Sequence, residues 1–141
     1  MLKGIPKIVG PELLKVLCEM GHGDTVVIAD GNFPSETFGK RVVRADGISG
    51  TDMLKAVLQL IPLDTYADYN FYTMELAGND TEIPAIWGEY DAIAKQADGN
   101  YKPSTLERFA FYEEAKKAYC VIATGEEKTY ANILLKKGVV K

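Results

Sequence analysis

His22 is the only histidine in the chain and lies in the segment Gly21-His22-Gly23-Asp24. Histidine alone has an ordinary pKa near neutrality, so His22 leads the candidates for moving a proton at pH 7. The flanking glycines permit close backbone approach of a ligand, although Gly21 equally suits a helix-ending turn that leaves His22 on the surface. Asp30 stands before Gly31 and could present its oxygens to a cleft or simply form a turn. Arg108 neighbours Phe109, Phe111 and Tyr112 and reads either as a ligand-binding cation or as a surface charge opening a helix. Tyr130 and Asn132 flank Ala131. In an extended segment they share one face, where a phenol and an amide would reach one ligand together or be solvated at an edge.

Other chemistries find little support. Gly21-x-Gly23 follows a helix-like run and precedes a strand-like one, the reverse of the order a phosphate cradle needs. No serine lies in a G-x-S-x-G nucleophile elbow. One histidine and two isolated cysteines, Cys18 and Cys120, offer no zinc-ligand spacing, and the apolar context of both cysteines predicts reduced, buried thiols. A formal charge of −4 disfavours nucleic acid as a partner. The first residues lack the apolar core of a signal peptide, and no apolar run nears the roughly 18 residues that span a bilayer. A cytoplasmic location without membrane association is the expectation.

The elements that must position these side chains are short. Pro11 to Met20 reads as a helix with Leu13, Val16, Leu17 and Met20 at helical spacing. Asp24 to Asp30 has the continuous apolar character of a buried strand, and Gly31 to Ser35 breaks it into a loop. Arg41 to Ala45 is strand-like, Thr51 and Asp52 open a second helix closed by Pro62, and Tyr69 to Leu76 is a strand before the turn Gly78-Asn79-Asp80. A third helix is predicted from about Pro84 to Ala97, with Ile86, Tyr90, Ile93 and Ala97 inward, and a fourth from Phe109 to Ala118. Tyr119 to Ala123 and Tyr130 to Leu135 are the last strands. Alternating helices and strands predict an α/β fold, residues 1–141 forming a single three-layer domain with helices on both faces of a central mixed sheet. His22 would enter the first strand and Asp30 leave it, roughly 20 Å apart. Both can serve one site only if that strand is shorter or His22 folds back.

Five stretches taken together resemble a known family. They are Pro11-Glu12-Leu13-Leu14-Lys15-Val16-Leu17, Gly21-His22-Gly23-Asp24, Arg44-Ala45-Asp46-Gly47, Arg108-Phe109-Ala110-Phe111-Tyr112-Glu113, and Tyr130 through Gly138. In this order they resemble the sugar mutarotases of the D-ribose pyranase and L-fucose mutarotase family. The likeness runs through essentially the whole chain and is stronger to the fucose branch, because the ribose branch tends to carry histidine in place of Arg108.

The resemblance implies an isomerase that interconverts the α and β anomers of a free monosaccharide without a cofactor or metal. L-Fucose is the leading sugar, with ribose and related pyranoses next. It also implies a homo-oligomeric ring, commonly a decamer, with sites near subunit boundaries, so a neighbouring chain can supply part of each site. His22 matches the family's proton donor, and Asp30, Arg108, Tyr130, Ala131 and Asn132 match its sugar contacts. Between residues 64 and 103 the likeness is less distinct. Mutarotation suits these residues: an acid protonates the ring oxygen while a base takes the anomeric proton, and rotation and reclosure give the other anomer. Two other classes remain open, a monosaccharide-binding protein without catalysis and an assembly protein whose loops are surface structure.

Overall fold

A computed structural model describes residues 1–141. Pro11–Glu19 (α1) begins on a proline, whose missing N–H costs nothing in a first turn, and buries Leu13, Val16 and Leu17. Cys18 falls on the opposite side of this helix and is exposed, which corrects the expectation for that thiol; Cys120 is buried. Thr25–Ala29 (β1) follows, then a single helical turn at Ser35–Phe38 (α2) and the strand Val42–Ala45 (β2). Gly50–Leu60 (α3) is capped by Ser49, whose side chain accepts from the Asp52 N–H at 3.2 Å. Phe71–Met74 (β3) and Ala85–Ala97 (α4) come next. On α4 the buried face is Ile86, Tyr90 and Ala94 rather than one reaching Ala97. Pro103–Leu106 (β4), Arg108–Lys117 (α5), Cys120–Thr124 (β5) and Ile133–Lys136 (β6) complete the order.

The strands form one mixed sheet in the order β2-β5-β1-β6-β3-β4. β6 is antiparallel to both its neighbours, while β2, β5 and β1 are parallel to one another, as are β3 and β4. Five strands therefore run one way and β6 alone runs the other. Val26, Ile28, Cys120 and Ile122 point into a large core with α1, α3 and α4. The alternate residues Val27, Ala29, Val121 and Leu134 pack on Phe111, Ala115 and Ala118 of α5 and its flank, with Phe33 beside them. Layers on both faces match the α/β expectation, and burial on both faces explains why β1 and β5 read as unbroken apolar runs.

Two elements escape the sequence pattern. β4 is an edge strand whose residues alternate between exposed and half-buried, and its proline is tolerated because an edge strand has an unpaired side. α2 is one turn long, too short to show a period.

Candidate active site

Because only β6 is reversed, one edge of the sheet gathers the C-terminal ends of β1, β3, β4 and β5 with the start of β6. Ligands of open α/β sheets bind at that edge, where neighbouring connections diverge. A cavity of about 320 Å³ opens there, at the small end of the usual range for ligand sites, lined among others by Asp30, Asn32, Asp80, Arg108, Tyr130 and Asn132. A larger hollow of about 610 Å³ adjoins it along Asp80, Thr129 and Tyr130. None of the larger hollow's polar walls is buried, whereas the smaller cavity reaches the buried side chains of Asp30 and Asn132. Fixed polar groups make the smaller one the better site.

Asp30 directly follows β1 and is 5% exposed. Its carboxylate accepts from the Asn32 N–H at 3.0 Å and the Ala131 N–H at 3.3 Å, and its own N–H donates to Asn132 Oδ1 at 2.8 Å. Burial pushes the Asp30 carboxyl above its ordinary value, against the opposing pull of these hydrogen bonds. A carboxyl held this way is primed to exchange hydrogen bonds with a hydroxylated ligand.

Tyr130 and Asn132 do reach one site, but not as neighbours on a strand face. β6 starts only at Ile133, and Tyr130 sits in a turn with φ of 57°. That left-handed conformation is uncommon outside glycine, and here it turns the phenol toward the loop after β3. The Tyr130 hydroxyl donates to Asp80 and accepts from the Ala77 N–H at 3.0 Å. The Asp80 carboxylate raises the Tyr130 pKa, which keeps the phenol protonated. Ala131 stays out of the cavity wall and acts through its backbone. Its N–H binds Asp30, and its carbonyl accepts from the fully buried Tyr90 hydroxyl at 2.9 Å.

Arg108 is the first residue of α5, where the Glu107 carboxylate caps the Phe109 and Ala110 N–H groups at 3.0 and 3.1 Å. Its guanidinium is exposed, donates from Nε to the Tyr112 hydroxyl at 3.1 Å and lies 5.6 Å from that ring. It is both a helix-start surface cation and the one cation on the cavity wall. Phe33 and Tyr112 meet edge to face at 5.7 Å and Phe38 stacks on Tyr112 at 4.7 Å, stiffening that side. The contributions of Asn32 and Asp80 were hidden in segments legible only as turns.

His22 stands apart. It precedes β1, and Gly23 N–H binds the Lys137 carbonyl at 2.9 Å, so it belongs to the opposite edge of the sheet. β1 is not shortened enough to bring it to Asp30, nor does it fold back. Its Nε2 instead meets Asp64 Oδ1 at 2.9 Å, and its ring lies 5.1 Å from that of Tyr66. Burial alone would raise the Asp64 carboxyl, but hydrogen bonds from His22 and from the Tyr66 and Ala67 N–H groups outweigh it and hold the value below the usual carboxylate range. The exposed apolar side chains Tyr66, Tyr69, Val139 and Val140 belong to segments at this same edge.

No three of His, Cys, Asp and Glu come together as a metal cage, and no helix is long and apolar enough to cross a membrane. A fucose mutarotase from Danio rerio is 50% identical over 149 residues, covering 99% of this chain and 95% of its own length. The crystal structure of FucU from Bifidobacterium longum superposes with a TM-score of 0.94 at 58% identity, covering 99% of this chain and 100% of that one. The fucose mutarotase from Streptococcus pneumoniae, solved in complex with L-fucose, does so with a TM-score of 0.94 at 46% identity and the same coverage. The model of the RbsD / FucU transport protein family matches residues 3–140, and this chain belongs to that family.

Proposed function

We propose that this chain is an L-fucose mutarotase, interconverting the α and β anomers of the free sugar by acid–base ring opening and closure. The observation that carries the reading is the convergence of Asp30, Arg108, Tyr130 and Asn132 on one small polar cavity at the strand ends. Relatives named fucose mutarotase, one of them holding L-fucose, support the choice of sugar. Asp30 and Asn132 accept and donate hydrogen bonds to ring hydroxyls, and the Arg108 guanidinium donates to others. Tyr130 closes the side toward Asp80, and Ala131 holds Asp30 through its N–H. Arg108 also favours fucose over ribose as the physiological sugar.

His22 is the proton carrier in this reading and reaches the cavity only between chains. The protein works as a homo-oligomeric ring, a decamer, in which His22 of the partner subunit faces the cavity of its neighbour. The exposed apolar side chains beside His22 supply surface for that contact. The chemistry uses protons alone and asks for no cofactor, and the location is cytoplasmic.

Saturation-transfer NMR between fucose anomers tests the function, and analytical ultracentrifugation tests the ring. Wild-type protein should accelerate exchange saturably, and His22→Asn should lose that exchange while fucose still raises its melting temperature. Exchange unchanged in the variant removes His22 from the role. Wild-type protein that fucose stabilises but that leaves exchange unaltered is a sugar-binding protein instead.

A further inference from the structure

Asp64 lies far from Asp30 in the sheet, yet its surroundings are built with unusual care. Its side chain is 2% exposed and meets His22, whose side chain is 46% exposed. Asp64 Oδ1 also accepts from the Tyr66 N–H at 3.3 Å, and Oδ2 from the Ala67 N–H at 3.0 Å. Its backbone is held as tightly. The Asp64 N–H donates to the Lys136 carbonyl at 3.0 Å, and its carbonyl accepts from Asn70 Nδ2 at 2.9 Å. Gly138 packs so close that a Cβ there would come within 2.9 Å of Asp64 Cα. A carboxylate fixed from both ends cannot follow a moving imidazole, so the imidazole takes its orientation from the carboxylate.

We propose that Asp64 is a positioning residue that sets the tautomer of His22 and makes Nδ1 the nitrogen that exchanges protons with the sugar, an inference resting on His22 as the proton carrier. An ionised carboxylate only accepts, so the 2.9 Å contact requires a proton on Nε2. Neutral His22 then carries its lone pair on Nδ1, which has no partner within the chain. During ring opening the imidazolium gives its Nδ1 proton to the ring oxygen and becomes the Nε2–H tautomer, still bound to Asp64. Reclosure returns the proton to Nδ1. As the C1–ring oxygen bond breaks, the anomeric hydroxyl gives its proton to solvent water, leaving the neutral open-chain aldehyde, and it takes a proton back on reclosure, so atoms and charge balance. The Tyr66 ring, its centroid 5.1 Å from that of the imidazole and itself 5.6 Å from Lys141 Nζ, limits rotation about the remaining side-chain bond.

Because His22 is the sole histidine, ¹⁵N-histidine labelling gives one pair of ring resonances without assignment. At alkaline pH, where the neutral ring is observed, wild-type protein should show the Nε2–H tautomer. In Asp64→Asn the amide oxygen can keep the Ala67 N–H, which turns the NH₂ toward the imidazole and makes Nε2 the acceptor. The expected signature is a shift to the Nδ1–H tautomer, with kcat for anomer exchange down at least tenfold and KM for fucose within twofold. A purely structural Asp64 would leave the tautomer alone or move kcat and KM together. The wild-type spectrum decides even if the variant does not fold, since an Nδ1–H tautomer there overturns the proposal. An Asp64→Asn protein with the altered tautomer but wild-type kcat also overturns it. Wild-type exchange in His22→Asn overturns the reading beneath it, and only in that case do both fall.

Discussion

Replacing Asn132 separates the two jobs its side chain performs beside Asp30. Asn132 Oδ1 accepts the buried Asp30 N–H at 2.8 Å, and its amide also hydrogen-bonds the Asp30 carboxyl, lowering that group's pKa. In Asn132→Ala the Asp30 N–H loses its partner in a buried setting, at a cost of about 1–3 kcal/mol. For a chain of this size that is a fall of about 4–12 °C in melting temperature. In Asn132→Asp the oxygen that accepts the N–H remains, but a second carboxylate now faces the first. Two unit charges about 4 Å apart at an effective dielectric of about 20 repel by about 4 kcal/mol. The paired carboxyls thus acquire a folded value above the unfolded one. Their stability is full below the unfolded value near pH 4 and is lost as pH rises through the folded value. Thermal melts followed by circular dichroism between pH 4 and 8, each variant against wild type at the same pH, read both effects. The alanine variant should keep a deficit at pH 4, where the lost N–H partner still counts, that grows toward pH 8 as Asp30 ionises without the amide, whereas the deficit of the aspartate variant should largely vanish at pH 4. Equal stability of wild type and Asn132→Asp at pH 8 would refute the placement of these two side chains.

Tyr130→Phe removes the hydroxyl that ties the Ala77 N–H and Asp80 to the cavity, and should raise KM for fucose severalfold with an unchanged far-ultraviolet spectrum; a KM within twofold of wild type would show that the tie does not shape the site. Gly125→Ala would drive a Cβ into the Asp46 carbonyl oxygen, and because that obstacle is backbone the variant should lose more than 10 °C in melting temperature or fail to accumulate as folded protein, at roughly the upper range for overpacking. The Asp30 carboxyl should titrate above 3.8 in ¹³C NMR of aspartate-labelled protein. Since burial raises its folded value above the unfolded one, the stability linked to it is complete below about pH 4 and declines as pH rises through the folded value. Titration at or below 3.8 would contradict the burial of this group.

Much of the frame is legible in the sequence, and the reasons differ by element. β1 and β5 declare themselves because both faces are covered, leaving no polar alternation to confuse the pattern. α1 and α3 carry apolar residues at helical spacing behind a proline and a serine cap. β4 carries no such mark, since an edge strand facing water has no need of apolar residues. The site residues were legible by type, but their arrangement was not. Tyr130 and Asn132 meet the ligand edge through a left-handed turn, a backbone feature with no glycine to announce it. Asp64 carries no mark in the sequence, because an aspartate before a threonine looks like any turn residue and its partner lies 42 positions away.

The reversal of β6 also governs how the protein is made. β6 is the only link between the sheet half β2-β5-β1 and the half β3-β4, and it pairs Val27 with Leu134 and Tyr72 with Leu134. A nascent chain can assemble its helices and pair β3 with β4 as it emerges, but its halves stay unjoined until residues 133–136 have left the ribosome. Until then the inner borders of β1 and β3 are open edges, ready to pair with strands of other chains. Contacts spanning more than a hundred residues also slow the final closure. Translation that stalls before β6 therefore leaves a sticky, chaperone-dependent intermediate rather than a smaller stable protein.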